Sequence, residues 1–229
     1  MIIKIKKLLK NFIKFVYCLP KSIYFNFYYL PFRQAIKFPI WVHGSVKIEN
    51  MGERKALEIH SLKRGSIRLG LERGSFAIRN KNCWWNISKG AKVIFKGNAD
   101  LSRGFNFEVA KNAYVEFGNN FSCNVNVIIT SAKQIVFGDN CLIGWNVSFL
   151  DGDGHKILDR KTKKIINEKK DIKIGNDVWI GACSTILKGS SIENNSIIAY
   201  GSIVTKKFNE EGCIILNNSI VKRSIEWKI

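Results

Sequence analysis

Histidine is scarce in this sequence, which contains only His43, His60 and His155 among its 229 residues. Catalytic zinc sites draw several ligands together in space, and most of those ligands are histidines. Three histidines this far apart do not supply such a cluster, so we predict no metal. His43 and His60 lie outside every motif described below, and we expect structural or surface roles for them.

Paired cysteines are also missing. The six cysteines lie far apart along the chain, and none forms a Cys-x-x-Cys pair. A chain of this length is not a short disulfide-stabilised scaffold. We therefore expect reduced thiols that fill small apolar gaps, in a cytoplasmic protein.

Acidic residues are missing from the start of the chain. Glu49 is the first of them, and nine Lys or Arg residues precede it, in a chain whose formal net charge is +19. Such an uneven distribution favours an anionic partner, which could be a membrane surface, a nucleic acid or a phosphorylated ligand. Because the sequence has no nucleic-acid recognition motif, we do not predict a nucleic-acid partner.

A long uncharged run is the fourth absence, since no stretch reaches the roughly 18 apolar residues of a spanning helix. Residues 1–17 instead have helical periodicity, and residues 22–32 are aromatic and uncharged. The basic start resembles a signal peptide, but lysines interrupt the apolar positions and no small-residue cleavage site follows, so we do not expect one. We expect residues 1–40 to contact the inner face of the plasma membrane as a basic amphipathic helix followed by an aromatic belt. The alternative is packing on the rest of the protein or on a partner subunit. The apolar helix face would hold Ile2, Ile5, Leu9, Phe12 and Val16, and the polar face Lys4, Lys7, Asn11 and Lys14.

What the sequence does contain is a six-residue repeat. From Ile174 to Val204 every sixth residue is a β-branched aliphatic, and a small residue follows four positions later. A period of six fits neither a helix nor a simple strand, but it fits a chain that turns three corners per coil, with one short strand on each side. The repeat therefore predicts an all-β solenoid whose aliphatic residues point inward and whose bends use Gly or Asn. The aliphatic positions are Ile174, Ile180, Ile186, Ile192, Ile198 and Val204, and the small ones are Val178, Ser184, Ser190, Ser196 and Ser202.

The same spacing occurs less regularly before this stretch. Short β-rich runs such as 66–70, 77–79 and 93–97 predict irregular early coils. About 20 residues, 151–171, then interrupt the repeat with Gly, Asp and charged residues, and so long a loop in a compact solenoid is a functional candidate. We predict an N-terminal segment 1–42, a solenoid domain 43–206 containing this loop, and a C-terminal tail 207–229.

The hexads, the loop that opens Asp151-Gly-Asp-Gly-His155, and the closing Thr205-Lys206 resemble the hexapeptide-repeat acyltransferases. More narrowly, they are similar to the O-acetyltransferases of capsule, O-antigen and exopolysaccharide synthesis, relatives of maltose and galactoside acetyltransferases. The resemblance covers about residues 114–206. It implies a left-handed parallel β-helix, a homotrimer, and acetyl-CoA bound between adjacent subunits.

The family's catalytic histidine falls on His155. A sugar hydroxyl attacks a thioester only as a base removes its proton, and imidazole is suited to that task near neutral pH. Asp151 and Asp153 are candidates to orient the imidazole or bind the acceptor, or else they are turn residues. Trp145 and Asn146 would line the acceptor pocket, although Trp145 could equally be packed.

The cofactor positions of the family fall on Ala182 and Tyr200 for the pantetheine arm and on Thr205 and Lys206 for the nucleotide end. Many relatives have Gly or Ala where this chain has Tyr200. The tail lacks the usual proline, and there Lys222 and Arg223 are candidate phosphate partners.

The resemblance implies transfer of an acetyl group from acetyl-CoA to a hydroxyl of a surface-polysaccharide sugar, on an acceptor that is often lipid-linked. Two alternatives stay open: an N-acetyltransferase of a nucleotide-linked amino sugar, and a non-catalytic β-helix scaffold. Drug or serine acetylation fits the N-terminal segment less well. The γ-type carbonic anhydrase, a metal enzyme with this fold, would need more histidines.

Overall fold

The structure is a computed structural model that describes residues 2–71 and 82–228. The predicted run at 77–79 lies outside the described residues. The helical elements are α1 (Ile2–Tyr29), α2 (Phe32–Ala35) and a 3-10 turn (Arg54–Ala56). The strands are β1 (Ile40–Val42), β2 (Val46–Asn50), β3 (Leu57–Ile59), β4 (Ile67–Leu69), β5 (Cys83–Ile87), β6 (Lys92–Phe95), β7 (Ala99–Leu101), β8 (Asn106–Val109), β9 (Tyr114–Phe117), β10 (Phe121–Cys123), β11 (Ile128–Ser131), β12 (Gln134–Phe137), β13 (Leu142–Ile143), β14 (Ser148–Leu150), β15 (Ile172–Ile174), β16 (Trp179–Ile180), β17 (Thr185–Leu187), β18 (Ser191–Ile192), β19 (Ile197–Ile198), β20 (Ile203–Val204), β21 (Ile214–Leu216) and β22 (Ser219–Lys222).

Among the described strands, three parallel sheets form the sides of a prism. Sheet A holds β1, β4, β7, β10, β13, β16, β19, β21 and β22; sheet B holds β2, β5, β8, β11, β14, β17 and β20; sheet C holds β3, β6, β9, β12, β15 and β18. Each coil of the chain visits A, then B, then C, and of the strands described here only β22 runs antiparallel to its neighbour. The predicted left-handed parallel β-helix is confirmed. Sheet A begins at Ile40, inside the predicted N-terminal segment, and continues past residue 206 into the predicted tail.

The six-residue repeat places one inward residue on each side of the prism. Ile180, Ile186 and Ile192 lie in sheets A, B and C, and all three are buried. The small residues at the corners, Ser184 and Ser190 among them, are buried as well. Their hydroxyls donate to the carbonyls of the next coil, at 3.1 Å for Ser184 to Ala199 and 3.0 Å for Ser190 to Val204. The inward and corner positions predicted from the repeat are confirmed.

The bends use asparagine in the left-handed backbone region, as predicted. Asn120, Asn140 and Asp177 occupy the same corner on three successive coils, with φ between 54° and 57°. Asparagine tolerates this conformation better than other side chains do. The Asn120 amide donates to Asn140 at 3.1 Å, and the Asn140 amide donates to Asp177 at 2.9 Å. Partners in sheet A lie 27 residues apart from Ile40 to Ile67 and 32 apart from Ile67 to Ala99, in the early, irregular part, but 18 apart from Trp179 to Ile197 in the perfect hexads.

Phenylalanines fill the middle of the prism. Phe95, Phe117 and Phe137 come from successive strands of sheet C, with ring centroids 4.8 and 5.4 Å apart and nearly parallel planes. Phe121 meets Phe117 edge-on at 4.7 Å. Wide early coils therefore hold aromatic rings where the tighter later coils hold Ile174 and Ile192 at the same register.

Helix α1 is longer than the periodicity of residues 1–17 predicts, because the aromatic run continues it to Tyr29. The spacing of Phe25 and Tyr29 puts both on one face, where both are buried against Trp85. The Phe25 and Trp85 ring centroids lie 5.3 Å apart, and the Trp85 indole donates to the Tyr29 hydroxyl at 3.0 Å. Helix α1 continues past Pro20 to Tyr29. Most of residues 22–32 therefore belong to a helix that packs on the solenoid, and do not form an aromatic segment separate from the helix. Within the described residues, no helix is both long and apolar enough to cross a membrane.

Two polar side chains of α1 complete the open edge of sheet A. Asn26 donates to the Ile40 carbonyl at 2.7 Å and accepts from the Ile40 amide at 3.2 Å. Ser22 accepts from the Val42 amide at 2.9 Å. Edge strands leave unpaired backbone groups, and α1 supplies partners for those of β1.

Replacing Asn26 by alanine should lower the free energy of unfolding by about 1–3 kcal/mol, since both backbone groups of buried Ile40 lose their partner. Urea unfolding at fixed protein concentration measures the change. Ile23→Ala, on the exposed face of the same helix, is the control and should shift stability by less than about 0.5 kcal/mol. Equal effects of the two variants would show that the Asn26 cap contributes nothing.

Candidate functional site

The 151–171 loop leaves the solenoid at the corner between sheets B and C. It connects β14 with β15 and folds as a short arm, with an antiparallel bridge between Leu158 and Ile165. The Asp159 carboxylate accepts from the Thr162 amide at 2.7 Å and from its hydroxyl at 2.9 Å, which tightens the tip of the arm. The loop is therefore an ordered projection.

His155 lies near the base of this arm, after Gly154 at φ 75°. Its side chain is exposed, and its imidazole makes no hydrogen bond among the described residues. Its backbone is fixed, because the Asn167 amide donates to the His155 carbonyl at 2.7 Å. The ring is thus presented to solvent on a braced backbone, available to an incoming group.

Asp151 is fully buried at the start of the loop. Its carboxylate accepts from the Ser131 hydroxyl at 2.8 Å and from the Lys133 amide at 2.9 Å. The Ala132 amide donates to its other oxygen at 2.5 Å. These bonds anchor the start of the loop to the preceding coil. This arrangement corresponds to a structural turn residue, the alternative given above for Asp151.

Asp153 is exposed and belongs to a small network at the base of the arm. Lys188 forms an ion pair with it, and the Asn167 amide donates to it at 2.8 Å. The ion pair, and next the hydrogen bond from Asn167, hold the pKa of Asp153 below its usual range. Because Asn167 also bonds the His155 carbonyl, Asp153 acts on the backbone that carries the imidazole. Asn167 and Lys188 were missed from sequence, where neither belongs to a motif.

A groove runs along the corner between sheets A and B. Its volume is about 280 Å³ and its lining is mainly apolar. Ala182 and Tyr200, both predicted cofactor residues, line it, and Tyr200 is 65% exposed. A hydrogen bond with the Cys183 side chain raises the pKa of the Tyr200 phenol. The other lining residues are Asn124, Leu142, Ile143, Gly144, Trp145, Trp179, Gly181, Ile197, Ile198 and Ala199.

Glycines keep this groove open where coils stack. A Cβ on Gly144 would lie 2.5 Å from the Ala182 amide nitrogen, and one on Gly181 would lie 2.7 Å from the Ile198 carbonyl oxygen. Only glycine allows the coils to approach this closely at the corner. The predicted acceptor residue Trp145 lines the same groove.

Asn146, the other predicted acceptor residue, is exposed at this corner with φ 55°. It accepts from the Asn126 amide at 2.9 Å and so continues an asparagine stack between coils. The structure therefore places Asn146 beside the groove in a turn position.

Thr205 and Lys206 follow β20 at the corner between sheets B and C. The Thr205 amide donates to Asn218 at 2.8 Å, and its hydroxyl accepts from the Asn218 amide at 2.9 Å. Lys206 is exposed. These two residues are therefore separated from Ala182 and Tyr200 by a whole side of the prism.

Lysines surround a second, larger pocket beside Thr205. Its volume is about 630 Å³, and Asp171 is the acidic residue among those lining it. Lys133 approaches the Asp171 carboxylate at 2.8 Å. Positive charge of this density favours an anionic group. No regular spacing along the chain predicts this pocket. Its lysines are Lys133, Lys170, Lys173, Lys188 and Lys207.

The tail positions Lys222 and Arg223 lie on or next to β22, which forms a hairpin with β21. Lys222 is exposed. Arg223 pairs with Glu210, at 2.7 Å from Nε to the carboxylate, and this hydrogen bond raises the pKa of the guanidinium. The Arg223 guanidinium is therefore paired with the Glu210 carboxylate in this structure.

The remaining histidines have structural surroundings. His43 is buried, and its ring nitrogens lie 2.7 Å from the Ser45 hydroxyl and 2.9 Å from the Arg103 guanidinium. His60 is exposed and pairs with Glu58 at 2.8 Å. All six cysteines are in the described part of the chain, where none forms a disulfide bond and five are buried. No group of three His, Cys, Asp or Glu side chains suited to a metal ion occurs in the described part of the chain.

A scan of protein families matches residues 171–206 to the bacterial transferase hexapeptide repeat (six repeats). The chain is 40% identical over 92 residues to the galactoside O-acetyltransferase of Escherichia coli (strain K12). The aligned residues make up 40% of this chain and 45% of that relative. It is 34% identical over 142 residues to the polysialic acid O-acetyltransferase of Escherichia coli O1:K1 / APEC, covering 61% of this chain and 39% of the relative. The chain thus spans less than half the length of these two relatives.

Among solved structures, the crystal structure of the polySia specific acetyltransferase NeuO superposes with a TM-score of 0.61. The superposition covers 82% of this chain and 74% of that one, at 25% identity. By its six-residue repeat and its three-sided fold this chain is a left-handed β-helix, and the stretches that match known proteins are similar to hexapeptide-repeat O-acetyltransferases.

Proposed function

We propose that this chain is an acetyl-CoA-dependent O-acetyltransferase whose acceptor is a sugar hydroxyl of a surface polysaccharide. The observation that carries the proposal is the exposed His155 imidazole, which is held on a braced loop and has no competing hydrogen bond from the residues that the structure describes. The relatives, which are named as galactoside and polysialic acid O-acetyltransferases, support the same reaction class.

In the proposed reaction His155 acts as the general base. Its free ring nitrogen takes the proton of the sugar hydroxyl as the oxygen attacks the thioester carbonyl carbon. The new C–O bond forms, the C–S bond breaks, and the proton passes from the imidazole to the departing sulfur. Asp153, Asn167 and Lys188 are positioning residues for this step, and Asp151 anchors the loop that carries it.

The apolar groove at the corner of sheets A and B suits the pantetheine arm of acetyl-CoA, a long chain with few charges. Ala182 would form its wall and Tyr200 its rim, with Trp145 at the end near the acceptor. The lysine pocket beside Thr205 suits an anionic group, on the nucleotide end of the cofactor or on the acceptor. Lys206, Lys222 and Arg223 remain candidates for the phosphates.

We further propose a homotrimer, because one chain separates these parts. The groove lies at the A/B corner, whereas His155 and Thr205 lie at the B/C corner. A copy packed alongside brings its own 151–171 loop against the groove, and the exposed Ile157, Leu158 and Ile166 of that loop provide apolar contacts. The complete site would then contain residues of two subunits.

The test is acetyl-CoA turnover against a panel of neutral sugars, acidic sugars and lipid-linked oligosaccharides, with thiol release as the readout. Tyr200→Ala should raise the KM for acetyl-CoA several-fold with little change in kcat, because an exposed side chain at the rim contributes binding alone. Trp84→Ala, which removes another exposed aromatic residue, is the matched control and should leave KM unchanged. No turnover with any acceptor would contradict the proposed function. An equal effect of both variants would instead remove Tyr200 from the cofactor site.

A further inference from the structure

Helix α1 has two faces of different character. One packs on the solenoid and consists of buried residues at helical spacing: Cys18, Ser22, Phe25, Asn26 and Tyr29. Its hydrogen bonds to β1 and its contact with Trp85 fix the orientation of the helix on the prism. The direction of the opposite face is therefore set as well.

That opposite face is apolar and exposed. Its residues are related by steps of three, four or seven positions, which at about 100° per residue keep them on one side of the helix. Phe12 is 63% exposed and Ile13 is 59% exposed. We call this set the exposed stripe, and it consists of Leu9, Phe12, Ile13, Val16, Ile23 and Phe27. At about 1.5 Å per residue the exposed stripe is about 27 Å long. It is a continuous apolar surface and not a set of single, scattered apolar residues.

Helix α2 extends the stripe. The Phe27 and Phe32 ring centroids lie 6.0 Å apart, and Phe32 is 69% exposed. Ile36, one turn further, is exposed too, and so are Arg33 and Lys37. Apolar and basic side chains therefore alternate at the end of the exposed stripe.

Charge decides what covers this surface. The chain has nine Lys or Arg residues and no acidic residue before Glu49. A second copy of the chain would bring an equally basic helix to the same face, where like charges repel. An anionic bilayer offers acyl chains for the stripe and negative headgroups for the exposed Arg33 and Lys37 at its end, worth about 1 kcal/mol for each basic residue near the surface.

We propose that α1 and α2 bind the surface of an anionic lipid bilayer, with the exposed stripe inserted among the headgroups. Because the other face of α1 is packed on the solenoid, the helix lies along the bilayer plane, and the apolar side chains reach about 5–10 Å into the interface. The prism is then held against the membrane by the end that α1 caps. This inference does not depend on the proposed acetyl transfer.

The test is co-sedimentation of the full chain with vesicles of phosphatidylcholine alone, or of equal parts phosphatidylcholine and phosphatidylglycerol. We expect binding to the second kind only, and weaker binding at high salt because ions screen the charges. The double variant Phe12→Gln, Ile13→Gln should bind at least about tenfold more weakly, since two large apolar side chains no longer insert. Glutamine is a good helix former, so the helix itself is preserved.

The matched control is Leu216→Gln, Val221→Gln, which removes two exposed apolar residues from the β21–β22 hairpin. It should bind the vesicles as the unmodified chain does, and thermal unfolding followed by circular dichroism verifies the fold of both variants. Equal binding by the stripe variant, binding that ignores phosphatidylglycerol, or no binding at all would overturn the proposal. If sedimentation velocity shows that the stripe variant loses an oligomer, the stripe is a subunit contact and the proposal is also overturned.

Discussion

Replacing His155 by alanine should lower the rate of acetyl transfer by about 10²–10⁴-fold, the usual contribution of a positioned general base. The effect should fall on kcat, because the hydroxyl proton moves only in the transition state. The imidazole is exposed and makes no hydrogen bond among the described residues, so its removal leaves the 151–171 loop and the solenoid intact. Steady-state kinetics with the best acceptor of the panel measures the change.

His60→Ala is the matched control. His60 is also exposed, but it directly follows β3 and pairs with Glu58 of that strand. It therefore lies at a different corner of the prism from His155. It should transfer acetyl groups at the unmodified rate. Acetyl-CoA binding, measured by calorimetry, should be unchanged in both variants. Full activity of His155→Ala would contradict the mechanism, and equal losses in both variants would point to a general effect on the protein.

Replacing Phe117 by alanine should lower the free energy of unfolding by about 3–5 kcal/mol, the range for a large aromatic residue removed from a core. The stacked rings of Phe95, Phe117 and Phe137 form a column in the core, and the Phe117 ring lies in its middle. The Phe117 ring also meets Phe121 edge-on. Neighbouring coils hold these rings in register through backbone pairing, so they cannot move in to fill the space. The cavity then adds to the lost burial.

Denaturant unfolding at fixed protein concentration measures this change. Phe32→Ala is the control, because Phe32 is exposed on α2 and should cost less than about 0.5 kcal/mol. A loss below about 1 kcal/mol for Phe117→Ala would mean that the coils collapse around the gap. The column would then be a plastic part of the core.

The solenoid was predictable because its signal is local and repeated. Each hexad specifies one strand and one bend. The inward positions from Ile174 to Val204 can therefore be predicted from neighbouring residues alone. Asn140 and Asp177 at the corners follow from the same rule, since a left-handed bend restricts the residue types that fit. Repetition makes every coil evidence for the next one.

The helix at the N-terminus shows where that reasoning stops. Apolar periodicity identified the face that contains Leu9, Phe12 and Val16, but this face is the exposed one. The buried face begins at Cys18 and includes the polar Ser22 and Asn26, whose burial no apolar periodicity predicts. Their burial depends on unpaired backbone groups of β1, which are distant in sequence and brought close only by folding.

The candidate site divides in the same way. The six-residue period by itself predicted the solenoid and its interruption at 151–171, because both are written in consecutive residues, whereas the left-handed turn and the choice of His155 came from the resemblance to the hexapeptide-repeat acyltransferases. Only the tertiary structure decided that Asp151 is buried as an anchor, that Asn167 and Lys188 brace the loop, and that the groove and His155 lie at different corners. The physical reason is that hydrogen bonds and corners join residues from different coils, and their partners are set by how coils stack rather than by any spacing along the chain.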